Sequence, residues 1–255
     1  MGAEGGIEVL LLRRSLESVF VGGAHVFPGG AVDPSDREIP ADRLDGVVGD
    51  AGASAVLGIE TGQVDRGGTA FWVAALRECF EEAGVLLARH ADGTPLSFAD
   101  PEVDARFAGH RDDVDHSRRT LAEVCEEEDL RLSIGGVHPF SHWVTPIGAP
   151  RRYDTRFFVA AVPDEQVALH DQRETISHRW ARPQDALADF ARGSIDLILP
   201  TQRNLEAIAR FETTADLLAG VVAGVAAVRD GRLPLVAEAP AGCRIPLPGD
   251  PGWEQ

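Results

Sequence analysis

Apolar positions along the chain recur at two periods. In "TAFWVAALRECFEEAGVLL" (69–87), Leu76, Phe80, Ala83 and Leu87 fall three or four apart, the spacing of one helix face. Thr69 stands where an N-cap is expected and Gly84 where the helix should end. Runs rich in β-branched and aromatic residues predict strands. These are "IEVLLLRR" at 7–14, a strand, loop and short strand in "VFVGGAHVFPGGAVD", the pair "FSHWVTP" and "RRYDTRFFVAAVP" joined around "IGAPRR", and "ISHRWAR". Two charged helical stretches are read at about 102–130, ending in "EEEDLRL", and further helices in "RPQDALADFARG", "PTQRNLEAIARFE" and "TADLLAGVVAGVAAVRD".

Residues 34–68 turn to Asp, Gly, Ala and Pro with no sustained period. They are read as a long loop or insertion, lacking periodic apolar residues to anchor it and hiding at most a weak helix. Strands and helices in this order predict an α/β sandwich rather than an all-α protein. One domain is expected over 1–230, with the 34–68 insertion and a helical segment at 95–130, followed by a tail at 231–255.

Polar positions interrupt the helical pattern in one place, "RECFEEAG" at 77–84. Glu78, Glu81 and Glu82 share one face, and like charges so spaced oppose a helix by roughly 0.2–0.5 kcal/mol per pair. Either this face is solvated, or a divalent cation turns the repulsion into ligation, since hard cations take carboxylate oxygens.

Charge narrows the choice of partner. Net charge is −17, from 24 basic and 41 acidic residues, a field that disfavours generic nucleic-acid binding. All the basic residues are arginine, which excludes a lysine Schiff base and the P-loop lysine. Cys79, Cys125 and Cys243 are odd in number and widely spaced, so a reducing cytoplasm is expected rather than a disulfide framework or zinc site. Cys79 is read as a small buried hydrophobe. No membrane span or signal peptide is recognised, and no Rossmann fingerprint or G-x-S-x-G elbow is present. His138 and His142 are four apart, but Pro139 between them breaks a helix, and they are read as loop residues rather than metal ligands.

"RECFEEAGV" resembles the second half of the Nudix box, G-x5-E-x7-R-E-U-x-E-E-x-G-U with U apolar. Arg77, Glu78, Cys79, Glu81, Glu82, Gly84 and Val85 fit, whereas Gln63 and Thr69 occupy the Gly and Glu positions at the usual distance. "FPGGAVD" at 27–33 resembles the lead-in to the same box. With Gly30 as the box glycine, Asp36 holds the glutamate position on a shorter arm, and about 33 extra residues precede Arg77. Upstream, Leu10, Leu11, Arg14, Ser15, Gly23 and Phe27, Pro28, Gly29 and Gly30 agree with the coenzyme A signature of one Nudix branch. Leu12 replaces its threonine and Val19 its second arginine. With the "W-x-T-P" element and "RRYDTRFF", the chain resembles the peroxisomal acyl-coenzyme A diphosphatases of that superfamily, from about residue 7 to beyond 205. It ends "GWEQ", without a peroxisomal address.

The resemblance implies a Nudix-type α/β/α sandwich with a mixed sheet and added helices. It implies hydrolysis of coenzyme A or its esters to 3′,5′-ADP and (acyl-)4′-phosphopantetheine, with Mg²⁺ or Mn²⁺ as cofactor. Glu78, Glu81 and Glu82 are then the ligands, joined by the Gly30 carbonyl, and Arg77 orients the glutamates. Glu174, six residues before Trp180, is a candidate fourth ligand or base. Arg14 and Arg152 are candidates for the substrate phosphates, Ser15 and Gly29 fall within the signature, and Tyr153 is placed to stack on adenine. Trp143 is read as core. Competing readings are a pyrophosphatase of ADP-sugars or NADH and a non-catalytic nucleotide sensor. Six residues before "IEVLLLRR" are too few for the strand usual at that place, so the expectation is either a chain that starts late or strand exchange in a homodimer.

Overall fold

The computed structural model describes residues 6–17, 22–46, 49–59, 67–145, 152–171 and 174–229. In chain order these form β1 (Val9–Arg14), β2 (His25–Val26), 3₁₀ turns at Pro34–Arg37 and Ala41–Arg43, α1 (Gly49–Val56), α2 (Thr69–Ala83) and β3 (Ala88–His90). Then follow α3 (Pro101–Asp115), α4 (Leu121–Glu127), β4 (Leu130–Leu132), a 3₁₀ turn at Ile134–Gly136, β5 (His138–Val144) and β6 (Asp154–Val159). β7 (Thr175–Ala181), α5 (Pro183–Ala191), α6 (Leu199–Ile208) and α7 (Thr214–Arg229) complete them.

β1 lies between β2 and β7, antiparallel to both. Alternation along β1 points successive side chains to opposite faces. Leu10 and Leu12 pack on Ala83, Val85 and Ala168, while Leu11 packs on Ala181, Ala186, Leu197 and Leu205. Helix α2 therefore covers one face and α5 with α6 the other, the expected α/β/α layering. The ladders β3–β4 and β5–β6 are antiparallel too, and parallel pairing enters through isolated bridges, His25–Leu197 and Leu44–Leu132.

The segment 34–68 is not the unanchored loop expected. Ile39, Ala53, Val56, Leu57 and Ile59 are buried in the largest core cluster, against Trp72, Val73 and Phe80 of α2. Each apolar group comes from a different short turn or the one short helix, so no period was there to read. Of this segment, 47–48 and 60–66 lie outside the described residues. Thr69 is also not the cap. It is the first helical residue, and the Asp50 carboxylate of α1 accepts from its amide at 3.0 Å and its hydroxyl at 2.7 Å. Gly84 does end the helix, at φ 70°. The three-residue strands β3 and β4 are too short to show alternation: β3 is not among the expected strands, and β4 falls at the end of a stretch expected to be helical.

The loop between β6 and β7 is tied to the end of α2. Buried Gln166 accepts from the Leu86 amide at 2.9 Å and donates to the carbonyls of Leu86 and Leu96, both at 3.0 Å. Three residues on, the Leu169 amide donates to the Ala83 carbonyl at 2.8 Å. The proposed exchanged strand, the 146–151 connection and the 231–255 tail lie outside the described residues, as does Cys243. Among the described residues, no helix is long and apolar enough to cross a membrane.

Candidate metal and catalytic site

Arg77 organises the polar side of α2. All five N–H donors of its guanidinium are used. Nε reaches Asp36 Oδ1 at 2.8 Å and Nη2 reaches Asp36 Oδ2 at 3.2 Å and the Ala31 carbonyl at 2.8 Å. Nη1 donates to Glu78 Oε1 and Glu81 Oε2, each at 2.9 Å. Arg77 and Asp36 are 7% and 3% exposed, so the pair is buried. The shorter arm of Asp36 thus reaches its partner, because the 3₁₀ turn at Pro34–Arg37 carries it inward; its Oδ2 also accepts from the Asp33 amide at 2.7 Å. Burial by itself would lower the Arg77 pKa, but the bonds to Asp36 and the surrounding carboxylates hold it above its ordinary value.

The glycine loop closes on the same helix. The Gly29 amide donates to Glu82 Oε2 at 2.8 Å, and a Cβ on Gly30 would come within 2.4 Å of Glu78 Oε1. No side chain other than hydrogen fits at Gly30 without moving that carboxylate. The two halves of the interrupted motif, distant in sequence, are therefore in direct contact.

The carboxylates are not a solvated face. Glu82 is 5% exposed, and Glu78 and Glu81 are half-buried. Burial pushes Glu78 up to about 7, with Arg77 opposing the rise and Glu81 adding to it. Glu82 is pushed up to about 8 by burial, against the Gly29 hydrogen bond and reinforced by Glu78, Glu174 and Asp171. Glu81 is raised as well, again mainly by burial. Three carboxyls gathered where negative charge is penalised suit a divalent cation, which would favour their ionised forms and take the oxygens left over by Arg77 and Gly29. The donor set therefore fits the implied metal. Cys79, on the same helix, packs on the Leu10–Leu12 cluster with its thiol pushed up to about 12 by burial.

Glu174 stands exposed at the start of β7, its carbonyl accepting from the Ser15 amide at 2.8 Å. Asp171 folds back on the same corner, accepting from the amides of Glu174 and Thr175 and from the Thr175 hydroxyl at 2.7 Å. The sequence reading missed Asp171, a lone loop acid with no motif around it. Arg14 pairs with Thr175 across the β1–β7 ladder, and its buried Nε makes no hydrogen bond among the described residues. Arg14, Ser15 and Glu174 thus meet at one end of β1, Gly29 and Gly30 meet the α2 carboxylates, and the charge of Glu174 acts on Glu82. Arg152 and Tyr153 sit elsewhere, at the loop end of the β5–β6 hairpin, bonded to Thr145. That hairpin meets the glycine loop at Phe27 and Phe157, ring centroids 6.2 Å apart. Trp143 donates to the Ser141 hydroxyl from β5, and His142, on the same strand rather than a loop, contacts Asp154 at 2.5 Å.

Two other polar features are separate. His110, Glu127 and Glu128 lie within 4.8 Å of one another, but Arg106 and Arg119 already hold the carboxylates and Arg119 bonds His110 Nδ1, which makes an ion-pair network. A cavity of about 210 Å³ lined by Arg13, His25, Ser177 and Asp196 lies beside the sheet face that carries Leu11, away from α2.

The profile of the NUDT19 Nudix domain matches residues 57–208. Human acyl-coenzyme A diphosphatase NUDT19 is 31% identical over 239 residues, covering 83% of this chain and 63% of that protein. The Xenopus laevis protein of the same name is 27% identical, covering 95% and 70%. A crystal structure of a NUDIX hydrolase from Alicyclobacillus acidocaldarius superposes with a TM-score of 0.66 at 28% identity, covering 86% of this chain and 90% of that one. The chain thus spans less than two thirds of the human relative's length.

Proposed function

The chain belongs to the NUDT19 family of Nudix hydrolases, and on that premise we propose that it hydrolyses the diphosphate of coenzyme A or acyl-coenzyme A. The observation that carries this reading is the contact between the Gly29–Gly30 loop and Glu78 and Glu82, which assembles both motif halves into one acidic site. The curated relatives are named as acyl-coenzyme A diphosphatases, which supports the choice of substrate.

Glu78, Glu81 and Glu82 would hold Mg²⁺ or Mn²⁺, with the Gly30 carbonyl beside them. Bound there, the cation supplies charge neutralisation and Lewis acidity towards a diphosphate. Arg77 keeps Glu78 and Glu81 aligned and is a positioning residue. Glu174, exposed beside Glu82, takes a proton from the attacking water. Water oxygen bonds to one phosphorus, the bridging P–O bond breaks, and two phosphomonoesters leave. Arg14 meets the substrate phosphates, since its buried Nε has no acceptor among the described residues at this corner. Arg152 and Tyr153, on the adjoining hairpin, are assigned to the adenosine end. The free thiols Cys79 and Cys125 suit a reducing compartment, and we place the protein in the cytoplasm.

Chromatography of the products tests the reading. Coenzyme A should yield 3′,5′-ADP and 4′-phosphopantetheine, and Arg14→Ala should weaken it about tenfold or more while affecting dephospho-coenzyme A less. More efficient cleavage of ADP-ribose or NADH than of any coenzyme A ester would transfer the protein to those substrates.

A further inference from the structure

Large apolar side chains stay in water along one edge of the central sheet. Ile176 and Trp180 of β7 are 40% and 41% exposed, and Leu169 and Val167 of the preceding loop 54% and 77%. In the β1–β7 register Trp180 lies opposite Leu10 and His178 opposite Leu12, so His178 and Trp180 share the α2 face, while Ile176 is the extra residue of a bulge between Thr175 and Ser177. The loop is held beside them, with His170 Nδ1 2.9 Å from His178 Nδ1. No described strand pairs with the other side of β7.

This strip begins at the candidate site and leads away from it. Asp171 follows His170 directly, and Glu174 precedes Ile176 by two residues. From Glu174 to Trp180 the strand covers about 20 Å, at ~3.3 Å per residue. A row of exposed apolar groups continuous with a polar site is the usual character of a ligand groove.

We propose that this strip seats the pantetheine arm and acyl chain of a coenzyme A ester whose diphosphate lies at the α2 carboxylates. It rests on the coenzyme A reading above. The occupant is largely uncharged, because the exposed side chains described in the strip are apolar, and long, because the strip leads outward from Glu174. Two amides and a thioester on an alkyl chain meet both conditions, and the paired imidazoles lie where those carbonyls would pass. Order along β7 assigns the contacts: Ile176 meets the arm common to all coenzyme A species, whereas Trp180, Leu169 and Val167 meet only the acyl chain.

Steady-state kinetics of the full chain with Mg²⁺ tests this, using coenzyme A and lauroyl-coenzyme A below its micellar concentration. Trp180→Ala should raise KM for the lauroyl ester about tenfold and leave KM for coenzyme A within about twofold. Ile176→Ser should raise both. Val167→Ser, at the most exposed position, follows Trp180→Ala and guards against misfolding. Unchanged KM for the lauroyl ester in folded Trp180→Ala and Val167→Ser would overturn the proposal. So would a variant that changes only the sedimentation mass, since a second copy would then cover the strip. A wild type that cleaves ADP-ribose but no coenzyme A ester overturns the coenzyme A reading itself, and this groove with it.

Discussion

Replacing Asp36 by Asn perturbs the hub of the site without changing its shape. The carboxylate is buried, takes two bonds from Arg77 and one from the Asp33 amide. An amide in its place keeps one oxygen but turns an N–H towards the guanidinium, leaving a buried donor unsatisfied. Breaking a buried ion pair costs about 3–5 kcal/mol. Arg77 retains Ala31, Glu78 and Glu81, so the lower end applies, about 3 kcal/mol. For a domain of this size that lowers the thermal midpoint by on the order of 5–10 °C. Equilibrium urea unfolding in EDTA measures it, with Glu38→Gln as control. Glu38 is exposed, so that control removes the same charge from a −17 chain without touching the hub. The deficit should persist in 1 M salt, where surface pairs are screened. An Asp36→Asn variant within about 0.5 kcal/mol of the control would show that the buried pair is not holding the two motif halves together.

Glu82→Gln and Glu81→Gln should each lower turnover by at least about two orders of magnitude while still folding, and full activity in either, or activity undiminished by EDTA, would refute the ligand assignment. A carboxyl raised on folding stabilises at low pH and loses that contribution as pH rises through its folded pKa. Metal-free protein should therefore lose stability as pH rises from about 4.5 through about 8, and the advantage of Glu82→Gln should grow over the same window. Melting curves in EDTA at pH 5.5 and 8.5 check the sign. Leu57→Ala should cost about 2–5 kcal/mol, and deletion of 34–68 should unfold the domain, because that segment is core. Gln166→Leu should strip partners from three buried backbone groups and speed amide exchange at Leu86 and Leu169; unchanged protection would dissociate the loop from α2.

The parts of this fold legible in sequence are those whose pattern is local. Helix α2, the strands β1 and β5–β7, and α5–α7 each carry a period long enough to read, and the three glutamates stand at helical spacing. What was illegible depends on contacts between distant segments. Ile39 and Leu57 look like loop residues until α2 buries them. Asp36 looks too short until its 3₁₀ turn is seen to deliver it. Gln166 and Asp171 belong to no motif, and their importance comes from the backbone groups they bond. Arg152 and Arg14 look alike as isolated arginines, yet only Arg14 stands at the end of β1 where the Ser15 amide bonds Glu174.

The contact of Gly30 with Glu78 also bears on how such a chain can change. Arg77 fixes Asp36 and Ala31 by position in space, so the length of chain between Asp36 and Arg77 is not constrained by the chemistry. New sequence can enter there, acquire its own core contacts and alter the outer surface while the metal-facing atoms stay in register. Fixed-spacing patterns will overlook such relatives. For an engineer, the same interval is a port through which a binding loop or regulatory module could be introduced, provided that the graft supplies replacements for Ile39, Val56, Leu57 and Ile59.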